Sequence, residues 1–352
     1  MMCSLAILLT VSNYVAPLLN SVGTQTATDD YTTSKVFAID AQMKIIMQQS
    51  GDPASSTVIV KGRAKASQPR MAIAYLTRNT KSDALYQRDS NTLLAKSLDL
   101  VFENVMPYTA ADVIIFHEGD FSSEDQKKVI KGRPHIKFHT LSAAEWGPPA
   151  FIDEKELPSW HEGSKYGMGY RNMIRFYANR IWPLVSVMGY EYVMRLDEES
   201  FIHSPIKYDL AERMTSERLV YGYRQDQTEY PTYGAWHYDI EPTFLYDHCT
   251  PRNIAGLKTG LHDLHSYYNN FFIARVDFFT STQVQQFLNY ADRTGGYYYS
   301  RWGDAIVHTA AVQIFLHTAE VHKFTDFSYE HATLNKTDNT LTWGGLAVGS
   351  ED

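Results

Sequence analysis

The chain has 352 residues, 44% apolar and 20% charged, which is ordinary globular usage and excludes a disordered or fibrous class. A net charge of −8 without a Lys/Arg run leaves no electrostatic footprint for nucleic acid, and any phosphorylated ligand needs a local cation or a few Arg to offset repulsion. Two cysteines, Cys3 and Cys249, build neither a disulfide framework nor a thiolate metal site. In chain order, residues 1–23 (MMCSLAILLTVSNYVAPLLNSVG) resemble a signal-peptide core or a weak signal anchor, though no Lys or Arg precedes them. Residues 24–68 are Ser/Thr-rich without a strong period, the composition of a stem, and the expected catalytic domain is 69–352.

At Met71 the character changes. MAIAYLTRN is a short apolar run ending in polar residues, the pattern of a buried strand leading into a loop. Helical spacing follows from Leu85 to Asn104. ADVIIFHEGD is a second such strand, SSEDQKKVI a capped helix and HIKFHTL a third strand. This alternation predicts an α/β domain around a mostly parallel sheet with ligand-binding loops at the strand ends. YRNMIRFYANRIWPLVSVM then carries helical spacing, and YEYVMRLDEESFI runs from a strand into clustered acids. The stretch from Thr228 to Asp263 has the Tyr-, Pro- and His-rich composition of site-covering loops. YYNNFFIARVDFF reads as a strand, TSTQVQQFLNYADRT as a capped helix and AIVHTAAVQIFL as a further helix. The 24 Tyr offer faces that stack on sugars or nucleobases, or that simply fill the edge of a core.

Three clusters carry candidate chemistry. In Arg195-Leu196-Asp197-Glu198-Glu199-Ser200, alternation at the end of a buried strand turns the carboxylates of Asp197 and Glu199 to one side, at the edge where ligands bind. Hard divalent ions take such oxygen ligands and neutralise a diphosphate, whereas a solvated acidic turn gives the same pattern. In RWGDAIVHTAAVQIF, His308 lies four positions after Asp304, so both project from one helix face. A lone His on an apolar helix is also an ordinary satisfied core residue. In YGMGYRNMIRF, Gly167 and Gly169 precede a helix whose first turn carries Tyr170 and Arg171, donors suited to phosphate. The alternative puts Arg171 and Arg175 on the wet face of a packed helix. Asn335-Lys336-Thr337 is a glycosylation acceptor pattern.

The motifs GYRNMIRFY, YVMRLDEES, PTYGAW, YYNNFFIARVDFF, RWGDAIVHTAA and VHKFTDFSYEH occur in an order that resembles the fungal α-1,2-mannosyltransferases of glycosyltransferase family 15. The resemblance runs from Met71 to His331. It implies a GT-A fold, GDP-mannose as donor, a mannose-terminated glycan or glycoprotein as acceptor, a manganese ion, retention of anomeric configuration and a Golgi-membrane setting with a lumenal catalytic domain. It implies Asp197 and His308 as metal ligands and Tyr170 as a donor-binding residue, with Arg78 as a nucleotide-loop candidate. Arg171 joins these donor-binding candidates from its place at the helix start. Asp197, Glu199 and Asp304 are the candidate catalytic acids. Two departures stand out: Asp197-Glu198-Glu199 replaces the family's Glu-Pro-Asp, and Phe272 occupies the place of a glutamate proposed there as nucleophile. They leave three routes open: attack on the face from which the phosphate leaves, service by another acid such as Asp277 or Asp304, or a changed activity. A changed activity covers a UDP-galactose or UDP-glucose donor and a catalytically impaired glycan-binding relative.

Overall fold

The computed structural model describes residues 71–79, 90–158, 167–228, 265–300, 302–331, 333–334, 341–343 and 346–347. The leader-like segment, the stem-like extension, the Tyr-rich loop beyond Thr228 and the Asn335 triplet lie outside these residues. Among the described residues no helix is long and apolar enough to cross a membrane.

The first half is β1 (Met71–Leu76), α1 (Ser90–Asn104), β2 (Ala111–His117), α2 (Ser123–Ile130), β3 (Ile136–Thr140), α3 (Met168–Arg175), a π-helical turn (Phe176–Arg180), α4 (Ile181–Val187) and β4 (Tyr192–Leu196). Then come β5 (Ser200–Ile202), α5 (Leu210–Ser216), β6 (Tyr221–Thr228), β7 (His265–Arg275), α6 (Val276–Phe279), α7 (Thr282–Arg293), α8 (Gly296–Tyr299) and α9 (Asp304–Phe315). The C-terminal strands are β8 (Val321–Lys323), β9 (Tyr329–His331), β10 (Thr333–Leu334), β11 (Leu341–Trp343) and β12 (Leu346–Ala347).

The main sheet has seven strands in the order β3-β2-β1-β4-β7-β6-β8. The β1, β2, β3 and β4 neighbours pair in parallel, as the strand-helix alternation predicts, whereas β7 runs antiparallel to both β4 and β6. Residues of β1 alternate between two cores. Ala72 and Ala74 join the cluster under α3, the π-turn, α4 and α9, while Met71, Ile73 and Tyr75 join the cluster under α1 and α5. Leu94, Leu98 and Val101 recur at helical spacing and give α1 its buried stripe, which Val105 continues just past its end. Helix α9 is different: Asp304 through Ile314 are all buried, so it lies inside the fold and not on its surface.

Two further features aim the chain at one place. β5 follows the acidic turn directly and pairs antiparallel with β9 so that Ser200 stands opposite His331. On β7, Phe272 pairs with Tyr223 and Tyr268 with Gln225, so Asn269, Asn270 and Phe271 stand against Arg224 alone. Such a bulge re-aims side chains at the edge of a site.

Candidate active site

Asp197 follows Leu196, whose partner on β7 is Phe271, and the antiparallel register brings Asn270 beside it. The Asn270 side-chain amide donates to Asp197 Oδ2 at 2.8 Å and also reaches His331 Nε2. Arg195, two residues back on the same strand face, donates to Asp197 Oδ1 at 2.9 Å and to Oδ2 at 3.3 Å. The turn is closed by Ser200, whose backbone N–H donates to the Asp197 carbonyl at 2.9 Å and whose hydroxyl accepts from the Asp197 N–H at 3.2 Å. Burial alone would raise the Asp197 carboxyl, but the Arg195 charge outweighs it and, with His331, holds the group below the usual carboxylate range.

His331 Nε2 lies 3.7 Å from Asp197 Oδ2 and 3.5 Å from Glu199 Oε1. Burial alone would lower this imidazole, yet the nearby carboxylates of Asp197 and Glu199 prevail and raise it to about 9. The neighbouring Glu198 carboxyl is pushed well up by burial and by repulsion from Glu199. Its other neighbours, Thr77 and Arg78, belong to the loop after β1, so the TRN segment does reach the acidic turn.

Arg195 is itself buried, a state a guanidinium tolerates only when paired. Besides Asp197 it donates to Asp304 Oδ2, and its guanidinium lies 3.6 Å over the Tyr177 ring. Asn269 donates to the same Asp304 oxygen, so the bulge sends one asparagine to Asp304 and the next to Asp197. Tyr177 belongs to the π-turn. This widened turn lets the Tyr177 carbonyl accept from His308 Nε2 at 3.0 Å while its ring supports Arg195.

The structure brings Asp197 and Glu199 together around one imidazole, and that imidazole is His331, not His308. Expected as the metal-ligating histidine, His308 is fully buried with its ring centroid 5.0 Å from Phe279, 5.3 Å from Phe272 and 5.4 Å from Trp182. One ring nitrogen is used by the Tyr177 carbonyl, the other is buried without a hydrogen-bond partner among the described residues, and burial pushes the group down to about 4. His308 is therefore a core residue, as its apolar helix also allowed, with one of its two ring nitrogens satisfied. Asp304 lies beside the site, but as an anchor for Arg195. Asp277 does not. It pairs with Arg275 at the opposite end of β7, where Arg275 stands against Tyr192 at the start of β4. Arg275 is five positions along the strand from Asn270, about 17 Å at roughly 3.4 Å per residue.

Tyr170, half-buried, is near enough to Tyr268 to perturb its hydroxyl, and Tyr268 contacts His331. Neither Arg171 nor Arg175 is on a wet face. Arg171 is buried and donates to the Pro158 carbonyl, while Arg175 makes a buried two-pronged pair with Asp292 at 2.8 and 2.9 Å. Phe272 is fully buried, stacked on Tyr221 and packed against Trp182. The place held by an acid in the family pattern is apolar core here.

Asp197 and His331, with Glu199 nearby, are donor types that a divalent cation takes. Among the described residues no group of three or more His, Cys, Asp or Glu forms a metal cage. The fit is to an ion held by one or two side chains, with phosphate oxygens and water completing its shell. His331 carried only a weak signal in the sequence: it ends the last shared motif, and its distance from the acidic turn is closed by β5–β9 pairing alone.

A profile of the family described as glycolipid 2-alpha-mannosyltransferase matches residues 27–343. Relatives include a probable mannosyltransferase, KTR3, of Saccharomyces cerevisiae, 28% identical over 239 residues, with 62% of this chain and 58% of the relative covered. Another is glycolipid 2-alpha-mannosyltransferase 2 of Candida albicans, 26% identical over 273 residues, with 68% and 59% covered. The chain spans about three fifths of the length of these curated relatives. Among solved structures, core-mannan synthase A of Aspergillus fumigatus in its Mn/GDP form superposes with a TM-score of 0.65 at 20% identity, covering 79% of this chain and 78% of that one. Mannosyltransferase Ktr4p of S. cerevisiae in complex with GDP gives 0.65 at 22%, covering 75% and 71%. These likenesses show the GT-A fold expected from the sequence.

Proposed function

We propose that this chain, which belongs to the glycolipid 2-alpha-mannosyltransferase family, transfers mannose from GDP-mannose to a mannose-terminated glycan with retention of configuration. The observation that carries this reading is the convergence of Asp197, Glu199 and His331 at the carboxyl end of β4, where open α/β sheets bind ligands. Asp197 and His331 would hold a divalent cation, Mn²⁺ in our reading, with Glu199 beside them. When bound, such an ion offsets the charge of the diphosphate as the sugar bond breaks.

The chain's own residues do the rest. Arg195 and Asn270 fix the Asp197 carboxylate, so its orientation is set before the donor arrives. Arg78 and Glu198 border the nucleotide side, and Tyr170 borders the side of Tyr268 and His331. Among the described residues, none of the positions weighed for a covalent two-step route offers a suitable carboxylate. Position 272 is Phe within the core, and Asp304 is tied to Arg195 and Asn269. The acceptor hydroxyl accordingly attacks on the face from which the phosphate departs. The apolar character of residues 1–23 supports entry into the secretory pathway, and the Golgi-membrane setting follows from the family resemblance.

The test is GDP-mannose turnover by purified protein with Mn²⁺ or with chelator. Activity should vanish with chelator and fall at least about 100-fold in Asp197→Asn and in His331→Ala, more than the loss typical of a residue one contact further from a metal. His308→Gln, which keeps a donor for the Tyr177 carbonyl, should retain its Mn²⁺ dependence. Metal-independent turnover, or full activity in His331→Ala, overturns the assignment.

A further inference from the structure

We propose that Tyr268 is a positioning residue for His331, holding Nδ1 so that Nε2 faces the carboxylates of Asp197 and Glu199. The inference rests on the reading of Asp197 and His331 as the cation site, and it adds a residue to which the shared motifs assign no role.

Three observations carry it. The Tyr268 hydroxyl lies 2.9 Å from His331 Nδ1, on the opposite side of the ring from the nitrogen that faces the carboxylates. The two rings meet edge to face, 5.6 Å between centroids and 85° between planes, so the contact fixes the tilt of the imidazole as well as one of its nitrogens. Finally, the backbone around His331 offers limited support. β9 is three residues long, and its neighbours are the short strands β5 and β12.

An imidazole that binds a cation through one nitrogen carries its proton on the other, and a partner for that N–H fixes both the tautomer and the ring orientation. The Tyr268 oxygen is in place to accept that N–H. Because Tyr268 lies on β7 two residues before Asn270, one segment of strand positions both halves of the site: Asn270 holds Asp197, and Tyr268 holds His331. The register shift on β7 starts at Tyr268, so the hydroxyl reaches sideways to β9.

Tyr268→Phe deletes the hydroxyl and leaves the ring. Mn²⁺ titration followed by electron paramagnetic resonance, with GDP present, should show at least a 10-fold weaker affinity in this variant, within the 10–100-fold range typical of such partners. Nitrogen coupling on the bound Mn²⁺ signal should also be altered, while the thermal unfolding midpoint without metal stays at the parent value. Asp197→Asn and His331→Ala serve as references. If they lose Mn²⁺ and Tyr268→Phe keeps parent affinity and coupling, Tyr268 has no positioning role and the cation site stands. If His331→Ala itself binds Mn²⁺ like the parent protein, the cation reading fails and the role of Tyr268 fails with it.

Discussion

Two histidines, 23 positions apart in the sequence, show how environment decides chemistry. His331 sits between two carboxylates at the rim of the sheet and is raised to about 9, whereas His308 sits among Trp182, Phe272 and Phe279 and is lowered to about 4. The same imidazole is a candidate ligand in the first place and a packing element in the second. The two regions are nevertheless joined. His308 donates to the Tyr177 carbonyl, the Tyr177 ring supports Arg195, and Arg195 holds Asp197. The dry region thus braces the wet one.

The largest way to break this division is through the dry side. Asp292 pairs with Arg175 at the end of the helix that leads into the π-turn, and both are buried. Asp292→Ala leaves the Arg175 charge without its carboxylate and should destabilise the protein by about 3–5 kcal/mol, measured by denaturant unfolding. An unchanged midpoint would mean that the pair contributes nothing to that region.

A smaller effect follows from His308 titration. Its folded value lies below its ordinary 6.5, so the unfolded chain takes up a proton first as pH falls. The stabilising contribution is complete above about pH 6.5 and is lost progressively down to about pH 4, in total about 3 kcal/mol at 1.36 kcal/mol per pH unit. The unfolding free energy of the parent should therefore fall relative to that of His308→Gln as pH falls through this window. Parallel curves would show that His308 does not titrate as a buried neutral group.

The smallest effect sharpens the link between the regions. Tyr177→Leu keeps the backbone carbonyl for His308 but removes the ring under Arg195, and should cost about 1 kcal/mol of cation–π attraction in addition to packing. The loss should shrink when measured in an Arg195→Met background. A double-mutant cycle with no coupling would break the chain from His308 to Asp197.

The strands β1 to β4 were legible because parallel central strands are buried on both faces and appear as continuous apolar runs. Helix α9 was legible as a helix, but its apolar residues alone did not show whether His308 faced a site or a core. Asp197 and Glu199 were legible from alternation at a strand end. Arg175 was misplaced by the wet-face alternative because its partner Asp292 is 117 positions away. The roles of Tyr268, Asn270 and His331 were hidden because each depends on register between strands far apart in the chain.

By itself the sequence determined the periodicities, hence the α/β class, the strand that delivers the acids and the family to which the chain belongs. Tertiary structure alone decided which histidine meets those acids. The choice rests on β5–β9 pairing and the β7 bulge, and on the Tyr177 carbonyl that occupies His308. Local spacing carries no information about such contacts, because the free energy that selects them comes from groups brought together only when the sheet closes.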